Sequence, residues 1–216
     1  MFIGIYSIAN FITLMGLTSS VVACFLAGIG SFKFALFMLF LACLCDTFDG
    51  RVARSNPNRT EKQKFYGIQL DSLCDLVSFG VTPCFIAFSF GFRGVLDIII
   101  YCLFIVCGAI RLAYFNTLAN EPSANPKKNK GFRGVPIPMS CPLMTLLFML
   151  TLFTPANVSV WFFRIGMLAL AIGYILNIKI KKPSLKRTAI FTAVQVVLLL
   201  IILIAGDFKL PTPPAA

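Results

Sequence analysis

The chain has 216 residues, of which 58% are hydrophobic and only 12% are charged, whereas soluble domains carry about 25% charged residues. The mean hydropathy is +0.89 and the formal net charge is +11. This composition excludes an ordinary soluble domain and predicts an all-α, polytopic bundle of helices integral to a membrane.

Apolar stretches long enough to cross a bilayer, about 20 residues each, recur along the chain. We predict seven spans, within a range of six to eight, at 9–31, 33–49, 72–91, 95–115, 135–153, 159–178 and 188–206. The first stretch is predicted to stay as a span rather than act as a signal peptide. It has neither a basic region before the apolar run nor a small-residue cleavage site after it.

Basic residues concentrate in three of the connecting segments. Segments 50–71, 111–134 and 179–187 hold fifteen of the nineteen Lys and Arg residues. The positive-inside rule therefore predicts that these segments and the N-terminus are cytoplasmic. The remaining four basic residues fall on the other side, at Lys33, Arg93, Arg164 and Lys209. Basic loops of this kind hold anionic lipid headgroups, and no segment supplies the folded basic face that nucleic-acid binding needs.

The sequence contains no histidine and eight cysteines scattered through apolar runs. The lack of histidine excludes a Ser-His-Asp triad, a histidine general base and imidazole-ligated zinc or haem. The cysteines lack zinc-ligand spacing and are expected to be small core residues. Any chemistry must therefore depend on carboxylates, hydroxyls, and arginine or lysine, with or without a metal ion.

Four of the eight carboxylates form two close pairs at the edges of apolar runs. Asp46 and Asp49 end the second predicted span, and Asp71 and Asp75 begin the third. Spacings of three and four residues place each pair on one helix face. Because one cytoplasmic loop joins the two antiparallel spans, we expect all four carboxylates to converge at one depth.

Such a group in a low dielectric needs a neutralising partner. An ion pair with Arg51 or Arg54 would neutralise one acid, and this is the purely structural alternative. A divalent cation satisfies more of them, and oxygen ligands favour Mg²⁺ or Mn²⁺, with Ca²⁺ also possible. Because such ions usually carry substrate phosphates, the pattern predicts a site for a pyrophosphate or a nucleotide.

The acids belong to two spaced motifs, Asp46-x-x-Asp49-Gly50-x-x-Ala53-Arg54 and Gly67-x-x-x-Asp71-x-x-x-Asp75. They resemble the signature of the CDP-alcohol phosphotransferases, membrane enzymes that move a phosphatidyl group from a CDP-linked lipid to an alcohol. The spacer of twelve residues between Arg54 and Gly67 is longer than is usual in that family.

Three further stretches are similar to the phosphatidylserine synthases of this family: LDSLCDLVSFGVTP (70–83), RLAYFN (111–116) and GVPIP (134–138). The resemblance covers about residues 7–140, and the C-terminal spans, about 141–206, match in hydropathy alone. It implies one membrane-embedded catalytic domain over 1–216 with the fold of the family. It also implies transfer from CDP-diacylglycerol to L-serine by a homodimer in the cell membrane, with the active site on the cytoplasmic side.

The resemblance also assigns roles to residues. The implied metal ligands are Asp46, Asp49, Asp71 and Asp75; Asp75 is also the implied general base, with Asp71 as a second catalytic residue. The implied CDP-lipid-binding residues are Asp46, Gly50, Ala53, Arg54 and Gly67. Gly50 could equally end a helix, and Arg54 could anchor its helix at the headgroups.

Some polar and charged residues outside the motifs have more than one interpretation. Arg111 and Asn116 end the fourth predicted span and are candidates for binding the serine carboxylate or a lipid phosphate, although Arg111 equally suits a role in setting topology. Asn10 and Thr13 in the first span either line the nucleotide pocket or bond a neighbouring helix.

Two other functions remain open. The acceptor could be a different alcohol, such as inositol phosphate or glycerol phosphate. Leu76 stands where enzymes that use glycerol phosphate commonly have lysine, which disfavours a phosphorylated acceptor. A cation transporter would need acids near the middle of the spans, whereas Asp97 and Asp207 lie at their outer edges.

Overall fold

The computed structural model describes residues 3–56, 59–119, 131–181 and 185–204, with the backbone alone for 119, 131–133, 179–181 and 185–191. Several residues of the sequence analysis lie outside the described residues: Lys127, Lys128, Lys130, Lys182, Asp207, Lys209 and the end of the last predicted span.

The described chain folds into eight α-helices: α1 Ile8–Gly28, α2 Phe32–Ser55, α3 Glu61–Asp75, α4 Thr82–Phe90, α5 Val95–Ala119, α6 Ser140–Phe153, α7 Ala156–Ile175 and α8 Leu185–Ile204. A π-helical segment, Leu76–Val81, joins α3 to α4, and a 3₁₀ turn, Ile137–Met139, precedes α6. Two three-residue strands, β1 Gly131–Arg133 and β2 Lys179–Lys181, pair antiparallel with Gly131 opposite Lys181. The prediction of an all-α bundle is confirmed, with this short ribbon as an addition.

Each of the seven predicted spans coincides with a helical segment of the structure. Within the described ranges, four helices are long and apolar enough to cross a membrane by length and composition: Ile8–Gly28, Glu61–Phe90, Val95–Leu118 and Ala156–Ile175. Ile137–Phe153 and Thr192–Ile204 are shorter apolar helices. Helix α2 differs from these because it carries the charged residues Lys33, Asp46, Asp49, Arg51 and Arg54.

The third span begins earlier than its predicted start at residue 72. A capping box starts α3 at Thr60: its hydroxyl accepts from the Gln63 amide at 3.3 Å, and the Gln63 side chain accepts from the Thr60 amide at 3.0 Å. Polar side chains form a capping box, so the pattern of apolar residues alone does not reveal this helix start. The helix therefore includes Gly67 and Asp71 well inside its ends.

Helices α1 and α2 approach closely at Gly16. A Cβ there would lie 3.0 Å from the Cys45 Cβ and 3.4 Å from the Ala42 carbonyl oxygen. Small residues allow helix backbones to pack at short range in membranes. The contact sets the buried polar side chains Asn10 and Thr13 of α1 against the acidic end of α2.

Aromatic side chains fill the opposite end of the bundle. Phe90 packs against Phe32 and Phe148 at centroid distances of 5.0 and 4.8 Å, and Phe92 packs against Phe163 at 4.5 Å. Phe32 and Asp49 are about 25 Å apart along α2, at 1.5 Å per residue. The carboxylates and the aromatic core therefore occupy different ends of the same helix.

A buried ion pair joins α5 to α7. Arg164 donates to Asp97 through Nε at 2.6 Å and through Nη2 at 3.1 Å. The Gly94 amide donates to the same carboxylate at 2.9 Å. These bonds account for the one acid in α5 and the one arginine in α7 without any role in a reaction.

Candidate active site

Three carboxylates meet between α2 and α3. One oxygen each of Asp46, Asp49 and Asp71 lies within 4.8 Å of the other two. Asp49 is buried, at 5% exposed, and the other two are partly buried. Opposite ligands of an octahedral Mg²⁺ lie about 4.2 Å apart, twice the usual Mg–O distance. The three oxygens, all hard donors, therefore fit one divalent cation after small side-chain adjustments.

Asp75 lies at the edge of this group, one helical turn after Asp71. With Asp46 and Asp49 it lines a narrow cavity of about 10 Å³, close to the space of one water molecule. Its carboxylate is within electrostatic range of the other three and of Arg111. The structure thus brings three of the four predicted acids into one group and places the fourth beside it.

The π-helical segment begins directly after Asp75. Thr82 closes it, with its hydroxyl 3.1 Å from the Val77 carbonyl oxygen and 3.5 Å from that of Ser20 on α1. Short π-helical turns are frequent at functional sites. This segment sets the rotation of α4 relative to Asp75 and holds both against α1.

Asp49 is also held from α1. The Thr13 hydroxyl donates to Asp49 Oδ2 at 2.5 Å and lies 3.1 Å from the Ala9 carbonyl oxygen. Of the two interpretations for Thr13, the bond to a neighbouring helix is what the structure shows, and the residue also lines the cavity described next.

A cavity of about 460 Å³ opens beside the carboxylates. Gly50, Ala53 and Gly67, which have little or no side chain, line it, while Asp49 and Asp71 connect it to the acidic group. Of the five residues expected to bind the CDP-lipid, Gly50, Ala53, Arg54 and Gly67 line this cavity, and Asp46 lies behind it in the narrow cavity.

Gly50 lies inside α2, which continues to Ser55. The alternative that this glycine ends a helix is therefore wrong. The Arg54 side chain occupies the space beside Gly50, since a Cβ at Gly50 would lie 3.3 Å from Arg54 Nη1. The Arg54 guanidinium folds back over the glycine one turn earlier, at the cavity wall.

Three polar residues of the cavity wall were missed by the sequence analysis: Asn56, Arg59 and Lys64. The two cations were interpreted as parts of a basic loop that sets topology. Their position in the spacer between the two motifs was the available signal, because both ends of that spacer adjoin site residues. Lys64 also pairs with Glu61 at 2.8 Å.

Ion pairing does not explain the acidic group. Within the described part of the chain, the ion pairs are Lys64–Glu61 and Arg164–Asp97, and neither includes one of the four aspartates. Arg51 is exposed and lies over the Phe48 ring at 5.9 Å. Arg54 is close enough to Asp49 for an electrostatic attraction, but neither Arg51 nor Arg54 forms a direct ion pair with an acid among the described residues.

Arg111 and Asn116 of α5 have different surroundings. Asn116 accepts from the Ser72 hydroxyl at 2.9 Å, and its amide nitrogen lies 3.4 Å from Gln69 Oε1, so it connects α5 to α3. Arg111 lines a second cavity of about 310 Å³ together with Tyr114 and Tyr174. Its buried Nε has no hydrogen-bond partner among the described residues. Arg111 therefore offers a buried donor near Asp75.

Comparisons with known proteins give a matching family profile and several curated relatives. The family profile of CDP-alcohol phosphatidyltransferases matches residues 6–178. The chain is 43% identical over 112 residues to the CDP-diacylglycerol--serine O-phosphatidyltransferase of Saccharomyces cerevisiae, covering 51% of this chain and 39% of that protein. It is 34% identical over 148 residues to the protein of the same name from Helicobacter pylori, covering 68% and 59%.

An archaeal protein is also similar to this chain. The archaetidylserine synthase of Methanothermobacter thermautotrophicus is 32% identical over 136 residues, covering 62% of this chain and 54% of that protein. The chain thus matches between 39% and 59% of the length of these three curated relatives.

Proposed function

The chain belongs to the CDP-alcohol phosphatidyltransferase family, and on this basis we propose that it transfers a phosphatidyl group from CDP-diacylglycerol to the hydroxyl of L-serine. CMP and phosphatidylserine are the products. The observation that carries the proposal is the group of three carboxylates at the wall of a cavity of about 460 Å³. The names of the relatives support serine as the acceptor. They give no support to a cation transporter.

The donor set supports a hard divalent cation. Asp46, Asp49 and Asp71 would hold Mg²⁺ or Mn²⁺, with Ca²⁺ as a further candidate and Asp75 as an adjacent ligand. When bound, the cation neutralises charge on the diphosphate and stabilises the departing phosphate oxygen.

The protein's side chains position the CDP-linked lipid. The cavity lined by Gly50, Ala53 and Gly67 takes the ribose and cytosine, and Arg54 binds a phosphate oxygen through a charge-assisted hydrogen bond. The acyl chains remain in the bilayer, because exposing each CH₂ group to water costs about 0.8 kcal/mol. The lipid therefore reaches the site sideways from the membrane.

In the reaction, the serine hydroxyl oxygen forms a bond to the phosphorus that carries diacylglycerol. The bond from that phosphorus to the oxygen bridging it to CMP breaks, and CMP leaves with the electron pair. We assign Asp75 as the general base that takes the hydroxyl proton, and Asp71 as its catalytic partner. The place of Asp75 at the edge of the group, on the side of Arg111, supports this assignment.

Serine brings a carboxylate that needs a cation. Arg111, with its buried Nε and its proximity to Asp75, is our candidate for that contact, or for a lipid phosphate. Asn116 holds α5 against α3 and so keeps Arg111 at a constant distance from the carboxylates. The basic loops support a cytoplasmic N-terminus and active site, and we propose a homodimer in the cell membrane.

The test is CMP release by the purified full-length chain in detergent micelles. The assay supplies CDP-diacylglycerol, Mg²⁺ or Mn²⁺, and one alcohol at a time: L-serine, inositol phosphate or glycerol phosphate. We expect CMP release only when the alcohol is L-serine, and no CMP release after chelation of the metal. CMP release with another alcohol instead would identify that alcohol as the acceptor. No CMP release with any of the alcohols would overturn the proposal.

A further inference from the structure

Two arginines lie over two glycines that line the large cavity, one on α2 and one on α3. Arg54 covers Gly50 on α2, with Nη1 3.3 Å from the position of a Cβ. Arg59, from the connection between α2 and α3, covers Gly67 on α3, with Nη2 2.6 Å from the position of a Cβ. Both arginines line the cavity, so one guanidinium lies against its α2 wall and one against its α3 wall.

The Arg59 guanidinium is fixed by backbone carbonyls. Its Nη1 donates to the Ala53 carbonyl at 3.4 Å, and its Nη2 donates to the Gln63 carbonyl at 3.3 Å. Ala53 belongs to the last turn of α2 and Gln63 to the first turn of α3. The side chain therefore bridges the two helices instead of extending into water.

The charge of Arg59 is not compensated by these contacts. Both acceptors are neutral carbonyls, and no carboxylate among the described residues forms an ion pair with Arg59. A guanidinium has more N–H donors than these two bonds use, and its planar fork matches the oxygens of a phosphate. A preorganised, uncompensated cation in a cavity favours an anionic ligand.

We propose that Arg59 is a second guanidinium contact to the diphosphate of the CDP-linked substrate, in addition to Arg54. Gly67 then has a steric role, because a Cβ there would displace the Arg59 guanidinium from its place against α3. The inference rests on the proposed function for the identity of the ligand. It adds a binding residue in the spacer, outside both motifs.

The experiment compares the binding of CDP and cytidine to the full-length chain in detergent micelles with Mg²⁺. The variants are Arg59→Gln, Arg59→Lys and the control Lys62→Gln. Lys62 is exposed, lies three residues from Arg59 and is not part of the cavity wall, so its replacement removes the same charge from the same region. Thermal unfolding of each variant reports whether the fold is kept.

We expect Arg59→Gln to weaken CDP binding about tenfold or more, the size of a lost charge-assisted hydrogen bond. Cytidine, which lacks phosphates, should bind Arg59→Gln within about twofold of the wild type. Arg59→Lys, which keeps the charge but not the fork, should bind CDP with intermediate affinity. If Arg59→Gln does not fold, the CDP affinity of Arg59→Lys tests the contact. Lys62→Gln should bind CDP as the wild type does.

Wild-type CDP affinity in Arg59→Gln would overturn the inference, and so would an equal loss for CDP and cytidine. An equal loss of CDP affinity in Lys62→Gln would also overturn the inference, because the effect would then come from the general positive charge of this region. Serine-dependent CMP release is measured on the same preparations. If the wild type releases no CMP while Arg59→Gln still loses CDP affinity, the proposed function fails and the Arg59 contact stands.

Discussion

Replacing Thr13 by valine tests how α1 controls the carboxylate group. Valine has almost the same shape as threonine but no hydroxyl, so the substitution removes the hydrogen bond to Asp49. Thr13 is buried, and valine fills the same space. Asp49 then loses one of the donors that hold its carboxylate, and keeps the backbone amide of Gly50.

The magnitude follows from the type of bond that is lost. A hydrogen bond to a charged group contributes about 1.5–3 kcal/mol, which corresponds to about 10-fold to 150-fold in an equilibrium constant. Groups that orient a metal ligand typically change metal affinity or activity by about 10-fold to 100-fold. We therefore expect Thr13→Val to raise the Mg²⁺ concentration for half-maximal CMP release by about 10-fold to 100-fold.

The assay is a Mg²⁺ titration of CMP release at saturating CDP-diacylglycerol and L-serine. Thr18→Val is the matched control, since the exposed Thr18 also bonds the carbonyl four residues earlier, at 2.9 Å from Leu14, but contacts no aspartate. Thr13→Ser should behave like the wild type, because serine keeps the hydroxyl. At saturating Mg²⁺, Thr13→Val should recover most of its turnover.

Superposable Mg²⁺ titrations of Thr13→Val and wild type would refute this reasoning. A loss of turnover that high Mg²⁺ does not restore would also refute it, because the hydroxyl would then act on something other than the metal ligand. An equal shift in Thr18→Val would assign the effect to α1 as a whole.

Three further predictions concern other parts of the structure. Asp49→Asn and Asp71→Asn keep the size of the side chain but remove a charge from the three-carboxylate group. CMP release should therefore fall about 100-fold or more, while the helical circular dichroism stays unchanged. Normal turnover in either variant would contradict the metal assignment. Gly67→Ala sets a methyl group 2.6 Å from Arg59 Nη2, so the KM for CDP-diacylglycerol should rise with an unchanged melting temperature. Gly28→Ala, where nothing lies within 4 Å, is its control, and equal KM values would count against the close contact. Arg164→Gln strands a carboxylate that is 5% exposed, whereas Asp97→Asn leaves an arginine that is 20% exposed. Thermal unfolding should therefore show the larger loss, about 3 kcal/mol, for Arg164→Gln, and the reverse order would contradict the burial argument.

Local spacing was enough to predict several features of the site. Asp46 and Asp49 share a face because they are three residues apart on a helix, and Gly50 and Ala53 follow on the same turns. Hydropathy predicted the helical segments for a similar reason, since an apolar run long enough to span a bilayer is a local property. The capped start of α3 at Thr60 was missed because its stabilising bonds are polar.

The sequence by itself determined the membrane class, the helical segments, the family and the pairing of aspartates along α2 and α3. The tertiary structure alone decided that Thr13 bonds Asp49, that Arg59 covers Gly67, and that Asp75 lies at the edge of the acidic group. These contacts join different elements of the chain. They depend on how closely two helices pack and how each is rotated about its axis, and spacing along a single helix carries neither quantity.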